Sequence, residues 1–484
     1  MPITTISVTA PIASAPSSER AGASPHPPAT VELAVLVAAN LLATALRYAA
    51  MRLWIFGPAQ RGCPLSGYPG QRTTTARGVG GRVARIADVE GSSKPQLSRL
   101  SAARRQGERV TPLELFFDLV FVLAITQCTA SMAHHPTWQG LAQGLLVLGV
   151  LWWAWVGYAW LTSVIDPEQG AIRLLFFGAM AAMLVAALCV PEAFGSLGLA
   201  FALAIGVFRT LHIALFILAS PDDPELRRSV IGLAASTAIG VGLLACASLF
   251  DGIAQAAFWV LALACDMGGP YFFGSEGWRL VPGHFAERHG LIVLIALGES
   301  IVAVGAGAAG HLDLGIGVSA VLGVGIAAAF WWIYFDVVAL VSAKRLTEAL
   351  PGRVQNAMAR DSYSYIHLLL VAGIVLAAYG MKTAIAHTDA HLHDVQAFAL
   401  LGGTAIYLLG LVSFRYRHVK TINRHRLGLA IVLLVLFPAA TEVPALVSEA
   451  AVFVLLWALV TVELHGYDER RDRLRDEFSV AHGD

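Results

Sequence analysis

The chain has 484 residues, of which 57% are hydrophobic and only 14% charged. A soluble globular domain carries about a quarter of its residues as charges, so that class is excluded. The 33 Lys and Arg balance the 33 Asp and Glu, which argues neither for nor against a charged partner, and nothing suggests nucleic-acid binding.

Residues 1–110 read as an N-terminal extension. Residues 1–30 are rich in Ala, Ser, Pro and Thr and cannot bury a core, so disorder is expected. Residues 31–56 are apolar but interrupted by Arg47 and Arg52. Three readings stay open: a thirteenth span, a surface-lying amphipathic helix, or sequence upstream of the true start. Residues 57–110 are Gly-, Ser- and Arg-rich without hydrophobic periodicity.

From residue 112 to 464 the chain changes character. A helix needs roughly 20 apolar residues to cross ~30 Å of hydrocarbon. Twelve such segments follow, at 112–132, 138–163, 171–191, 193–219, 228–250, 252–274, 289–309, 313–342, 361–383, 394–414, 427–443 and 444–464. Lipid demands internally paired backbone, and long non-alternating runs exclude a β-barrel. The expected class is therefore all-α, a polytopic membrane helix bundle in a lipid bilayer. Residues 467–484 read as a charged tail.

Lys and Arg accumulate in cytoplasmic loops. Of the 20 from Thr111 onward, 18 fall in alternate connections, including Arg279 with Arg288 and the cluster from Arg415 to Arg426. The opposite connections carry only Lys382, and Arg209 lies within a span. Both ends of the helical domain are thus expected in the cytoplasm, with the basic face against anionic lipid. The external connections carry His134, His135, His311, His391 and His393, read as solvated loop residues. Four of the five cysteines, Cys128, Cys189, Cys246 and Cys265, fall within spans without CxxC spacing, and buried thiols without disulfides or metal are expected.

Residues 111–274 and 284–466 look like two copies of one six-span unit. Trp152-Trp153 matches Trp331-Trp332, Ile172-Arg173-Leu174-Leu175 matches Ile366-His367-Leu368-Leu369, and Ala200-Phe201-Ala202-Leu203 matches Ala397-Phe398-Ala399-Leu400. Six spans per unit makes a parallel 6+6 repeat, an arrangement that places transporter sites near the midplane. Duplication for packing alone is the competing reading.

Ionisable residues inside spans are costly and mark candidate sites. Glu114 and Asp118 share a face of the first span, where helix capping is the plainer reading. Gln127 lies deeper. Glu299 falls near mid-membrane beside Gly298, with Gly305 beyond it, small residues that permit close helix approach. It is a candidate for carrying a proton or binding a cation, or else for a structural pair with Arg209. Arg209 and His212 share a face of the fourth span, and Asp266 lies in the sixth. Glu287 and Arg288 form a candidate ion pair, with His289 beside them. His284, Glu287 and His289 are metal-ligand types without HExxH spacing. Gly305, Gly307 and Gly310 satisfy GxGxxG but follow no strand, so a dinucleotide site fails on context. Trp152, Trp153, Trp155 and Trp160, with Trp331 and Trp332, read as an interfacial aromatic belt, with a substrate cage as the alternative.

The run from Arg109 to Val122, with Thr111-Pro112-Leu113-Glu114-Leu115-Phe116-Phe117-Asp118, resembles the opening signature of the bacterial low temperature requirement A family. The run from His284 to Ser300, with Glu287-Arg288-His289 and Leu297-Gly298-Glu299-Ser300, resembles its second signature. The resemblance covers roughly residues 107–470; the extension departs from it, since members begin shortly before the first signature. It implies an integral membrane protein without established catalytic or transport residues.

The expected function is a secondary transporter or ion pathway, with Glu299 as coupling carboxylate and Arg209 as counter-charge. The candidate residues are Glu299, Arg209, Gln127, Asp266, Asp118, Glu114, Glu287, Arg288 and His289. No enzyme activity and no cofactor are expected; a small solute or ion and a second copy of the chain are the expected partners. The alternative is a non-transporting sensor or scaffold in cold adaptation, and a further one an intramembrane lipid-modifying enzyme.

Overall fold

The computed structural model describes residues 109–481, apart from 169, 171, 220–222, 273–277 and 309–312. The readings for residues 1–108 and for His311 fall outside the described residues. Among those described, the regular structure is helical, with an isolated β-bridge between His391 and Pro444.

The first half contributes α1 (Pro112–His134), α2 (Trp138–Thr162), α3 (Ile172–Cys189), α4 (Gly198–Ala219), α5 (Pro224–Ala247) and α6 (Gly252–Phe272). Caps set the boundaries. Thr111 closes a capping box with Glu114, with Pro112 at the first helical position. Thr137 caps α2, and Asp223 caps α5 ahead of Pro224. The expected start at 228 moves back because Glu225, Arg227 and Arg228 occupy exposed first turns of the same helix.

The second half is less regular. Helix α7 (Pro282–Gly307) begins well before the expected 289, since its polar first turns are helical and buried. Helix α8 (Leu314–Phe335) breaks at Asp336 and Val337 before α9 (Val338–Glu348). Helix α10 (Arg353–Ala359) passes through a π-helical segment, Arg360–Ile366, into α11 (His367–Ala386). A second π segment, Phe398–Gly402, joins α12 (Asp394–Ala397) to α13 (Gly403–Val419). The expected span 427–443 is a short α14 (Arg424–Leu436) followed by a 3₁₀ turn, Pro438–Thr441. Pro438 lacks the amide that would continue the helix. Arg426 anchors α14, donating from Nε and Nη2 to Glu463 at 2.8 and 2.7 Å. Glu463 belongs to α15 (Ala445–Ala481), which continues unbroken into the expected tail.

Among the described residues, eleven helical segments are long and apolar enough to cross a bilayer, and α14 with its 3₁₀ turn makes a shorter twelfth. The chain is a multi-pass membrane helix bundle. Its centre is built on α2 and α11: 83% of the apolar stretch of α2 is buried against 22% for α6, which puts α6 at the lipid-facing periphery.

Close helix approach occurs where no one-dimensional pattern marked it. A Cβ on Gly373 would lie 2.5 Å from Tyr407 N, and one on Gly380 would lie 2.6 Å from Leu400 Cα. These glycines let α11 meet α13 and the second π segment backbone to backbone. Gly298 and Gly305, expected to serve this purpose, face open space.

The tryptophans of α2 also differ from expectation. Trp152, Trp153, Trp155 and Trp160 are all buried in the protein rather than ranged along the interface, whereas Trp331 is exposed. Each of three indole N–H groups finds an acceptor, as a buried indole requires: Trp152 donates to Ser364 O at 2.7 Å, Trp155 to Asp118 at 2.9 Å and Trp160 to Ser364 Oγ at 3.0 Å. Cys246 is exposed, not buried, while Cys128 and Cys189 are enclosed; all four described cysteines are free. Arg173 is exposed and its proposed counterpart His367 is fully buried, so the two matched positions have different surroundings.

Candidate functional site

The two sequence signatures meet in space. Helices α1 and α7 pack along their length, so Glu114 and Asp118, one turn apart, face His284 and Arg288, also one turn apart. Arg288 donates from Nη1 to Glu114 Oε1 at 3.1 Å and to Thr162 Oγ1 at 3.2 Å, and from Nη2 to Asp118 Oδ1 at 2.6 Å. Its guanidinium sits 5.6 Å from the Trp155 ring centre, whose N–H also reaches Asp118. His284 Nε2 hydrogen-bonds Glu114 Oε1 at 2.8 Å. The second Glu114 oxygen accepts from Thr111 N at 2.8 Å, so the carboxylate both caps α1 and binds the cation. All four ionisable side chains are essentially inaccessible. Arg288 is therefore the hub of a buried network and not a loop residue; its expected pairing with Glu287 does not form. Glu287 instead accepts from Val110 N at 3.1 Å, fixing the approach to α1.

An aromatic and imidazole layer adjoins this network. His289 donates Nδ1–H to Phe285 O (2.8 Å) and lies 5.0 Å from Trp155 and 5.4 Å from His367, ring centre to ring centre. His367 Nδ1 bonds Ser362 O at 3.1 Å, which leaves Nε2 to accept from Tyr334 OH at 2.9 Å. Both carbonyls of the π segment that accept side-chain donors, Ser362 O from His367 and Ser364 O from Trp152, lie beside this layer. His284, Glu287 and His289 do not converge, and among the described residues no group of three His, Cys, Asp or Glu has a metal-binding arrangement.

Farther along the same helix pair lies Glu299. Eleven residues of α7 separate it from Arg288, roughly 16 Å of helix rise. It is 1% exposed and accepts a hydrogen bond from the Thr126 hydroxyl of α1. Thr129 lies beside it, and Lys382 is near enough to interact electrostatically. Among the described residues no cation lies within ion-pair distance. The expected partnership with Arg209 is not formed. Arg209 instead bonds Asp266 at 3.0 Å and Thr237 at 2.6 Å, and Thr237 bonds Asp266 at 2.9 Å. The structure thus unites Arg209 with Asp266, and Glu114, Asp118 and Arg288 with one another. Gln127 is part-exposed and belongs to none of these networks.

One buried carboxylate escaped the sequence reading. Glu449, near the start of α15, is fully buried; its Oε2 accepts from Ser319 Oγ at 2.5 Å and its Oε1 has no partner. Placed within a span rather than at its edge, it carried the same signal as Glu299.

The family model for the bacterial low temperature requirement A protein matches residues 109–461. The chain belongs to this family. An uncharacterized protein of Rhizobium meliloti (strain 1021) is 30% identical over 72% of this chain and 89% of its own length. No solved structure matches the chain. In this low temperature requirement A protein, the residues carrying both signatures form the α1–α7 interface: the buried ion network at one end and Glu299 farther along.

Proposed function

We propose that the protein is a secondary transporter or ion pathway of the cytoplasmic membrane, in which Glu299 carries a proton or holds a cation. One observation carries this reading: a carboxylate buried within a membrane span whose direct partner is a hydroxyl rather than a cation. Such a group is expensive in a bilayer and is tolerated where it has a task. Thr126 can donate to a carboxylate or to the carbonyl oxygen of a neutral carboxyl group, so the site accommodates both states. Arg209 is no longer the counter-charge; it neutralises Asp266. The lopsided Lys and Arg distribution supports a cytoplasmic location for both ends, and the ordered sequence matches support the parallel 6+6 arrangement.

The test is proton uptake into valinomycin-polarised proteoliposomes followed with an internal pH dye. Wild-type protein is expected to admit protons, and Glu299→Gln to abolish the flux while remaining folded. Retained flux in that variant removes Glu299 from the pathway, and no wild-type flux removes proton conduction.

A second reading, a non-transporting sensor or scaffold serving cold adaptation, draws on a different observation. The network around Arg288 is enclosed and largely self-satisfied, as a structural clamp would be.

A further inference from the structure

A second polar site lies between α2, α4 and the π segment Arg360–Ile366, lined by no residue of α1 or α7. A cavity of about 40 Å³ is bounded by Gly157, Arg209, Trp153, Trp160, Trp278 and Arg360. A water needs roughly 10–15 Å³ of such space, so there is room for about three, or for a carboxylate and its first carbons.

The cavity holds buried donors that the fold leaves uncommitted. Both polar contacts of Arg209 are made by Nη2, and its Nε is buried without a partner. Trp278 Nε1 is also buried and unpartnered. Native interiors rarely leave such groups unpaired, because each costs a full desolvation penalty. Gly157 keeps the space open: a Cβ there would lie 2.7 Å from Arg209 Nη1 and 2.7 Å from a ring carbon of His212. The charge balance also favours an anion. Asp266 matches Arg209, while Arg360 and Arg417 share the single carboxylate of Asp361. Of all these groups only Arg209 and Arg360 line the cavity, whose lining residues include no carboxylate. Apart from these groups and Ser364, whose hydroxyl oxygen accepts from Trp160, the walls are indole rings and aliphatic side chains, which suit an apolar body.

We propose that this cavity binds the carboxylate of an amphiphilic acid, with Arg209 and Trp278 as donors and Trp153 and Trp160 flanking the carbon body. Arg360, stacked 3.9 Å from the Tyr271 ring centre and paired with Asp361, adds a second guanidinium to the lining. The ligand reaches the site either from water, as a small aromatic acid, or from the bilayer, as a fatty acid. This assignment does not depend on Glu299, and its test reads binding rather than flux.

The experiment is tryptophan quenching of the full chain in phosphatidylcholine nanodiscs. 4-Nitrobenzoate serves as the aqueous probe and 9,10-dibromostearate as the membrane probe, each against its neutral amide. Saturable quenching by one acid beyond its amide is expected, and the responding probe identifies the source. Gly157→Ala is expected to weaken it about tenfold and Trp278→Phe, which keeps the ring but not the donor, several-fold. A thermal melt confirms that both variants are folded. Equal quenching by acid and amide, no saturable quenching by either acid, or unchanged affinity in folded Gly157→Ala would each overturn the proposal.

Discussion

Arg288 Nη2 lies 2.6 Å from Asp118 Oδ1, and the same guanidinium reaches Glu114 through its other terminal nitrogen. This one side chain from α7 binds two carboxylates from α1 where water is excluded. Desolvating such charges costs several kcal/mol per ion, repaid only when geometry and hydrogen bonding are good. Here Thr111, Thr162, Trp155 and His284 supply the additional bonds.

Removal of the cation should therefore be severe. Arg288→Ala strands two buried carboxylates and is expected to cost about 3–5 kcal/mol, read as a lowered melting temperature and lost monodisperse protein in detergent. The triple change Glu114→Gln, Asp118→Asn, Arg288→Met should recover much of that loss. A triple variant less stable than the single one would show that packing, not charge, dominates the site.

Trp155→Phe deletes one neutral donor to Asp118 and keeps most of the ring. The expected loss is about 1–3 kcal/mol, clearly below that of Arg288→Ala. Thermal unfolding of the two variants side by side checks the order.

Glycine substitutions should separate by position. Gly373→Ala and Gly380→Ala drive a methyl into neighbouring backbone and are expected to destabilise strongly, since backbone cannot swing aside. Gly305→Ala meets open space and should be neutral or stabilising by up to about 1 kcal/mol. A comparably destabilised Gly305→Ala would contradict the assigned packing.

Glu449→Gln retains an oxygen to accept from Ser319 and removes a charge with one unpartnered oxygen, so folded yield should hold or improve. Glu449→Leu leaves the Ser319 hydroxyl without its partner and should cost about 1–3 kcal/mol. Expression and melting temperature in the same detergent distinguish the two.

Orientation is open to direct labelling. Cysteines placed at exposed Asp389 and Arg228 should react with a membrane-impermeant maleimide from opposite sides of intact cells and inverted vesicles. Reaction of Asp389→Cys from the cytoplasmic side would reverse the proposed topology.

The sequence by itself determined the solvent and the class. Long apolar runs with scattered charges admit only membrane-spanning helices, because lipid leaves backbone groups no other partners. It also isolated Glu114, Asp118, Asp266 and Glu299, because a charge inside an apolar run stands out whatever its partner, whereas Arg288 read as a connection residue and only the fold placed it inside the bundle. Tertiary structure alone decided the partners. A span presents several faces, and local spacing says which residues share one but not which helix lies opposite. Arg209 therefore went to Asp266 and Thr237 rather than Glu299, and the α2 tryptophans turned inward to Asp118 and Ser364. The π segments were equally hidden, since nothing in the local pattern of residues 360–366 or 398–402 marks them, whereas Pro438 does mark the break after Leu436.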